Sequence, residues 1–168
     1  MKRTLLISKL FLLVVLAQYV HAAIDKVVVH KDKRVLYVYD NGEVTHSFPV
    51  MLGSNSGPKR VQGDRKTPEG EYIIDWHNPN SRFYLSMHVN YPNAKDRQYA
   101  RENGIDDPGN NIFIHGVPKK VFNMTDPKKI YNFLKSANWT NGCVALSNSD
   151  MEVLFDLIPA GTPLIIKK

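Results

Sequence analysis

"KVVVHKDKRVLYVYDNGEVTHSFPV", Lys26 to Val50, is the stretch that decides the fold class. Lys26–His30 and Arg34–Asp40 are runs of β-branched and aromatic residues, which suit a pleated, half-buried surface. The polar "KDKR" separates them, and "DNG" at Asp40–Gly42 is a hairpin turn signal. "EVTHSFPV" then continues as a third strand. Three short strands joined by tight turns begin an antiparallel sheet.

Downstream, Gly53–Gly70 is a glycine- and proline-rich loop that carries Lys59, Arg60, Arg65 and Lys66. "EYIIDW" returns to strand character, the "NPNSR" that follows reads as a turn, and Phe83–Val89 reads as the next strand. Ala94–Asn111 is polar and reads as a short helix followed by a loop. "NIFIHG" is a short apolar strand that ends at His115 and Gly116. Two late segments have helical spacing. In Asp126–Ala137, Asp126 caps, Pro127 takes the first helical position, and Ile130, Phe133 and Leu134 recur on one face. In the second, Ser147 or Asn148 caps a stripe of Met151, Leu154, Phe155 and Ile158, which is core in character. "PLIIKK" closes the chain as a strand. The expected class is mainly β with two short α-helices (α+β), with no internal repeat and no linker after the N-terminal segment.

That N-terminal segment is different in kind. Lys2 and Arg3 precede an apolar run, Leu10–Ala17, and small residues follow at Ala22 and Ala23. A basic start, a short apolar centre and a small-residue exit form a secretory signal peptide. The run is shorter than the ~20 residues of a spanning helix, which favours cleavage near Ala22 over anchoring. Residues 1–22 are therefore read as the signal peptide and 23–168 as one domain, exported to the periplasm or cell envelope. The exported part keeps 19 basic and 16 acidic residues, a net of +3 from the +6 of the full chain. The basic residues are scattered, so no nucleic-acid partner is indicated.

Exported proteins commonly use cysteines in pairs, yet Cys143 is the only cysteine. It is a buried small hydrophobe, an intermolecular bridge or a reactive thiol. Its neighbours favour reactivity. Gly142 precedes it and permits close approach of a substrate. A helix N-terminus follows shortly, which favours negative charge. Backbone N–H groups in such a turn can point at one spot, which is the geometry an oxyanion hole requires. A thiol nucleophile also needs a base. Of His30, His46, His77, His88 and His115, the last is the strongest candidate, because it ends an apolar strand beside Gly116 and lies 28 residues before Cys143. The His-before-Cys order excludes a papain-like arrangement. No arginine follows Cys143, which disfavours a sortase. No cluster of zinc ligands stands near the cysteine, so no metal is expected.

Three blocks together resemble the L,D-transpeptidase catalytic domain (YkuD) family of bacterial peptidoglycan enzymes: "GDRKTPEGEYIID" (Gly63–Asp75), "NIFIHG" (Asn111–Gly116) and "TNGCVALSN" (Thr140–Asn148). The resemblance runs from about Lys26 to the C-terminus. It implies a fold of β-sandwich-like mixed sheets and a reaction without cofactor or metal. Cys143 would be the nucleophile and His115 the base. The Gly116 carbonyl would orient the imidazole, and the Gly142 and Cys143 amides would form the oxyanion hole. Arg65, Lys66, His88, Tyr91 and Asn141 are the candidate substrate contacts. The donor would be a peptidoglycan tetrapeptide stem. The acceptor would be the amine of a diamino acid on a second stem, giving a cross-link. With water as acceptor the protein would be an L,D-carboxypeptidase, and with a protein lysine it would anchor or release a wall protein. A non-catalytic wall-binding domain is the alternative outside enzymology. Two positions depart from the usual family pattern. Asn141 stands where many members have histidine, and Ala145 where many have arginine. The helix expected over Asp126–Ala137 lengthens the His–Cys interval and would form a wall or lid of the cleft.

Overall fold

A computed structural model describes residues 24–118, 132 and 138–168. The expected signal peptide at 1–22 lies outside the described residues, as does the expected helix Asp126–Ala137 apart from Asn132. Eight strands and two helices are described: β1 Ile24–His30, β2 Val35–Asp40, β3 Glu43–Pro49, β4 Gly70–Ser81, β5 Tyr84–Val89, α1 Ala94–Glu102, β6 Ile112–His115, β7 Val144–Ala145, α2 Asn148–Leu157 and β8 Thr162–Lys167. All eight strands belong to one sheet, in the order β3-β2-β1-β8-β4-β5-β6-β7. It is mixed: β1 runs parallel to β8, β6 runs parallel to β7, and the other neighbours are antiparallel.

The opening hairpin forms as its sequence requires. Asn41 (φ 50°) and Gly42 (φ 81°) are both left-handed, the pair of conformations that lets a two-residue turn follow the strand twist. Helix α1 is held by a reciprocal cap. The Asn93 side chain accepts from the Lys95 and Asp96 amides, and Asp96 accepts from the Asn93 amide. Ser147, rather than Asn148, caps α2 by accepting from the Asp150 amide at 3.1 Å. One expectation needs correction. The "NPNSR" segment is not a turn along its length. Strand β4 continues to Ser81, with a register shift between Asn78 and Ser81 that accommodates Pro79.

Alternation along the strands builds the core. Val27 and Val29, Leu36 and Val38, Tyr72 and Ile74, Met87 and Val89, Ile112 and Ile114, and Leu164 and Ile166 all face one interior. Met151, Leu154 and Ile158 of the α2 stripe cover it, and Phe155 packs at its margin. β3 and β7 stand at opposite ends of the strand order, yet the sheet curls until these ends meet. Met51, just past β3, exchanges two 2.8 Å backbone hydrogen bonds with Ala145 of β7. The chain that leaves β3 is thereby laid alongside the segment that contains Cys143.

Leu164 is fully buried in β8, between parallel β1 and antiparallel β4. Leu164→Ala is expected to cost ~2–5 kcal/mol of unfolding free energy. Ile73, on the outer face of β4, is 42% exposed, and Ile73→Ala is expected to cost less than about 0.5 kcal/mol. Urea unfolding of both variants checks this; equal losses would contradict the assigned core face.

Candidate active site

The parallel register of β6 and β7 sets the site. Ile114 lies opposite Val144 and both enter the core, while His115 lies opposite Ala145. Phe113 and His115 therefore face the other side of the sheet. Cys143 joins them there, one residue before β7. The three side chains line one cavity of about 630 Å³, shared with Phe83, Ser86 and Trp139. Strand β5 adds the neighbouring column, with Ser86 opposite His115 and His88 opposite Phe113.

His115 is only 3% exposed. Its Nδ1 lies 2.6 Å from the Gly116 carbonyl oxygen. A carbonyl only accepts, so Nδ1 carries the proton and the neutral ring keeps its lone pair on Nε2. Phe83 and Trp139 flank the imidazole, with ring centroids at 4.5 and 5.9 Å. Burial lowers the imidazole pKa to about 4, although the Gly116 carbonyl favours the protonated ring. The turn after His115 has its own support. Asn148, the first residue of α2, accepts from the Val117 amide through Oδ1 at 2.7 Å. A Cβ on Gly116 would lie 2.5 Å from that same oxygen.

Cys143 is half-buried, and its thiol donates to the Asn111 carbonyl at 3.7 Å. Burial raises the thiol pKa, while the Phe113 amide and the Lys59 ammonium act in the opposite direction. The loop in front of the sulfur is tightly seated. Gly142 has φ +129°, and a Cβ there would lie 2.7 Å from the Lys66 carbonyl oxygen. Any side chain at 142 would displace the backbone of the "GDRKTP" block.

One of the two amides expected in the oxyanion hole is engaged within the loop. The Gly142 N–H donates to Thr140 Oγ1 at 3.1 Å, and the same hydroxyl donates to the Cys143 carbonyl at 2.7 Å. Thr140 is buried and staples the loop from within.

The candidate substrate contacts separate into groups. Asn141 is exposed and borders the His115 cavity and also a second cavity of about 430 Å³. Arg65 lines that second cavity with Cys143, Lys59 and Gln62. Lys66 acts through its backbone. Its carbonyl seats Gly142, its amide donates to Asp64, and its ammonium lies over Gly57. His88 faces the same side of the sheet as Phe113 but lines neither cavity of Cys143. Its Nδ1 lies 2.6 Å from Asp75, its ring stacks on Trp76, and it borders a further cavity of about 520 Å³ with Tyr91. Tyr91 is 3% exposed and donates its hydroxyl to the Pro108 carbonyl. Burial raises its phenol pKa. The placement of Tyr91 separates it from Cys143, because the "NYPN" segment packs its ring inward.

Thr140, Asn148, Lys59, Phe83 and Trp139 were not singled out from the sequence as site residues. Thr140 and Asn148 stand at the two ends of the "TNGCVALSN" block, so their positions were visible but their contacts were not. Among the described residues, no group of three or more His, Cys, Asp and Glu side chains is placed to hold a metal ion. No described helix is long and apolar enough to cross a membrane.

Comparison with known proteins gives a consistent result. A family model for the L,D-transpeptidase catalytic domain, YkuD, matches residues 24–166. The candidate L,D-transpeptidase YafK of Escherichia coli (strain K12) is 26% identical over 137 residues, which cover 77% of this chain and 45% of YafK. The helical cell shape determining protein Pgp2 of Campylobacter jejuni has a similar fold, with TM-score 0.62 at 22% identity over 86% of this chain and 48% of Pgp2. Bd1075 of Bdellovibrio bacteriovorus aligns with TM-score 0.57 at 28% identity, over 84% of this chain and 47% of that one. This chain thus spans about half the length of the proteins it matches. With the family model covering nearly all of the described sheet, the chain belongs to the L,D-transpeptidase catalytic-domain family.

Proposed function

We propose that this protein is an exported cysteine L,D-transpeptidase that acts on the peptide stems of peptidoglycan. The observation that carries the reading is a half-buried thiol and a buried imidazole on one face of adjacent strands, sharing one cavity, with the imidazole tautomer fixed by Gly116. Family membership supplies the substrate class. The N-terminal apolar segment and the mild positive charge suit an exported protein working on an envelope surface.

The steps follow from the protonation states. Burial favours the neutral form of both groups, so the resting pair is thiol and imidazole rather than thiolate and imidazolium. As sulfur attacks the carbonyl of the third stem residue, Nε2 of His115 takes the thiol proton. The oxyanion that forms meets the Cys143 amide. His115 then gives the proton to the departing amine, the C–N bond breaks, and D-alanine leaves a thioester on Cys143. An acceptor amine, deprotonated by the same imidazole, attacks the thioester and restores the thiol. The peptide-bond energy is kept in the thioester, so neither ATP nor a cofactor enters the sequence. Cys143 borders two cavities, so an acyl group in one leaves a route to the sulfur through the other.

Two measurements test this reading. Residues 23–168, incubated with purified tetrapeptide muropeptides, are expected to release D-alanine and give cross-linked dimers by mass. Cys143→Ala is expected to abolish both products, and His115→Ala to lower turnover by ~10²–10⁴-fold. Tripeptide monomers without dimers would replace the cross-linking reading by the carboxypeptidase one. No product together with an inert thiol would favour the wall-binding reading.

The second measurement is the pH dependence. A thiol pKa held up by burial yields thiolate only at alkaline pH. Iodoacetamide labelling of native Cys143 is therefore expected to rise about tenfold per pH unit from neutrality to beyond pH 9, with no acidic plateau. An imidazole pKa lowered to about 4 keeps the base neutral down to that pH, so the acid limb of kcat/KM is expected well below the ordinary 6.5. A labelling plateau already present at pH 5–6 would show a preformed ion pair and exclude the neutral-pair mechanism.

A further inference from the structure

Lys59 is 4% exposed, and no other lysine or arginine among the described residues is buried. A buried ammonium is costly unless it is paired and hydrogen-bonded. Here it donates to Asp64 Oδ1 at 3.1 Å and to the Val61 carbonyl at 3.0 Å. Asp64 also accepts from the amides of Arg60, Val61 and Lys66. Its own burial would raise the carboxyl pKa, but the Arg60, Lys66 and Val61 amides, with Lys59, hold it below the usual carboxylate value. Gly109 makes room for the ammonium from the other side. A Cβ there would lie 3.0 Å from Lys59 Cε and 3.1 Å from Nζ.

Two of the three ammonium hydrogens are thus assigned. Lys59 lines the 430 Å³ cavity that Cys143 and Asn141 also line. A structural clasp alone would not need a cation at the edge of the nucleophile's cavity; a neutral side chain would bind Asp64 without the cost of desolvation. We propose that Lys59 is a positioning residue for the reaction: its buried ammonium stabilises negative charge on Cys143 Sγ, and Asp64 fixes the ammonium there while partly offsetting its field. The other charged or titratable groups that line the two cavities of Cys143 are His115 on β6, the exposed Arg82 and the exposed Arg65. Burial keeps His115 neutral at rest, and the exposed Arg65 and Arg82 are solvated and screened. Lys59 is therefore the fixed positive charge in the low-dielectric wall, and coupling through that wall exceeds coupling through water. The inference requires Cys143 to react as a thiolate, and it does not require the peptide stem to be the substrate.

Iodoacetamide is the suitable probe, because it is neutral and its rate follows thiolate fraction rather than attraction of the reagent. Full pH–rate profiles of native Lys59→Met and Asp64→Asn give opposite expectations. Lys59→Met is expected to raise the apparent thiol pKa, slowing labelling about three- to tenfold below that pKa while leaving the alkaline plateau unchanged. Asp64→Asn is expected to lower the apparent pKa and speed labelling at neutral pH. Lys59→Arg, which keeps the charge, is expected to stay near the parent. If both Lys59→Met and Asp64→Asn move the pKa in one direction, or neither moves it, the clasp is structural only and the proposal fails. If Lys59→Met does not fold, Asp64→Asn decides alone: an unchanged or raised pKa overturns the proposal. Muropeptide turnover is not used, so failure here is distinct from failure of the proposed activity.

Discussion

The site depends on a backbone interlock where the curled sheet closes. Met51 pairs with Ala145, Thr140 donates to the Leu52 carbonyl, and Ser54 donates to the Thr140 carbonyl. The Gly53 amide donates to the buried Thr67 hydroxyl at 2.9 Å. A Cβ on Gly53 would lie 2.3 Å from the Arg65 carbonyl oxygen, and one on Gly142 would lie 2.7 Å from the Lys66 carbonyl oxygen. Three distant segments therefore touch through main chain, and glycine is what lets them approach. Because these buried amides and carbonyls have no water to fall back on, each contact is costly to lose. The loop before Cys143 is fixed by this network rather than by its own local preferences.

Much of this was legible in the sequence because it is local. The hairpin was carried by "DNG" and by β-branched runs, and the two flanking strands follow them closely. "NIFIHG" and "TNGC" are short enough that strand end, glycine and functional side chain are all visible in a few letters. Expectations that rested on contacts distant in the chain fared worse. Pro79 reads as a turn locally, but pairing of β4 with β5 absorbs it as an irregularity within a strand. Tyr91 stands among polar neighbours as a candidate substrate contact, but its ring packs edge-on to Tyr72, with centroids at 6.0 Å, and its hydroxyl reaches Pro108. The basic loop offers four cations that look alike in sequence, whereas Lys59 alone of them is buried, because Asp64 and Gly109 meet it from different parts of the chain. Charge spacing along a loop does not reveal which cation has a partner.

Burial biases both groups of the site the same way. Burial acts on the thiol and on the imidazole in opposite numerical directions, and both shifts favour the neutral form. A thiol held in its neutral form is less open to oxidation than a standing thiolate. In the proposed reaction the proton passes to His115 as sulfur attacks, and the charge on imidazole and oxygen develops in a cavity whose polar groups are already oriented, where fixed dipoles act with least reorganisation.

Closure of the sheet also fixes the donors beside Cys143. The Leu146 amide, just past β7, points to the His115 carbonyl of β6, while the Ala145 amide points the other way to Met51. Leu52 and Ser54 engage Thr140, and the Thr140 hydroxyl takes the Gly142 amide. The groups that bracket Cys143 are thus held by main chain and by one buried hydroxyl, and few buried amides are left to choose another partner. The loop therefore enters β7 with its backbone already set, whatever its own local preferences.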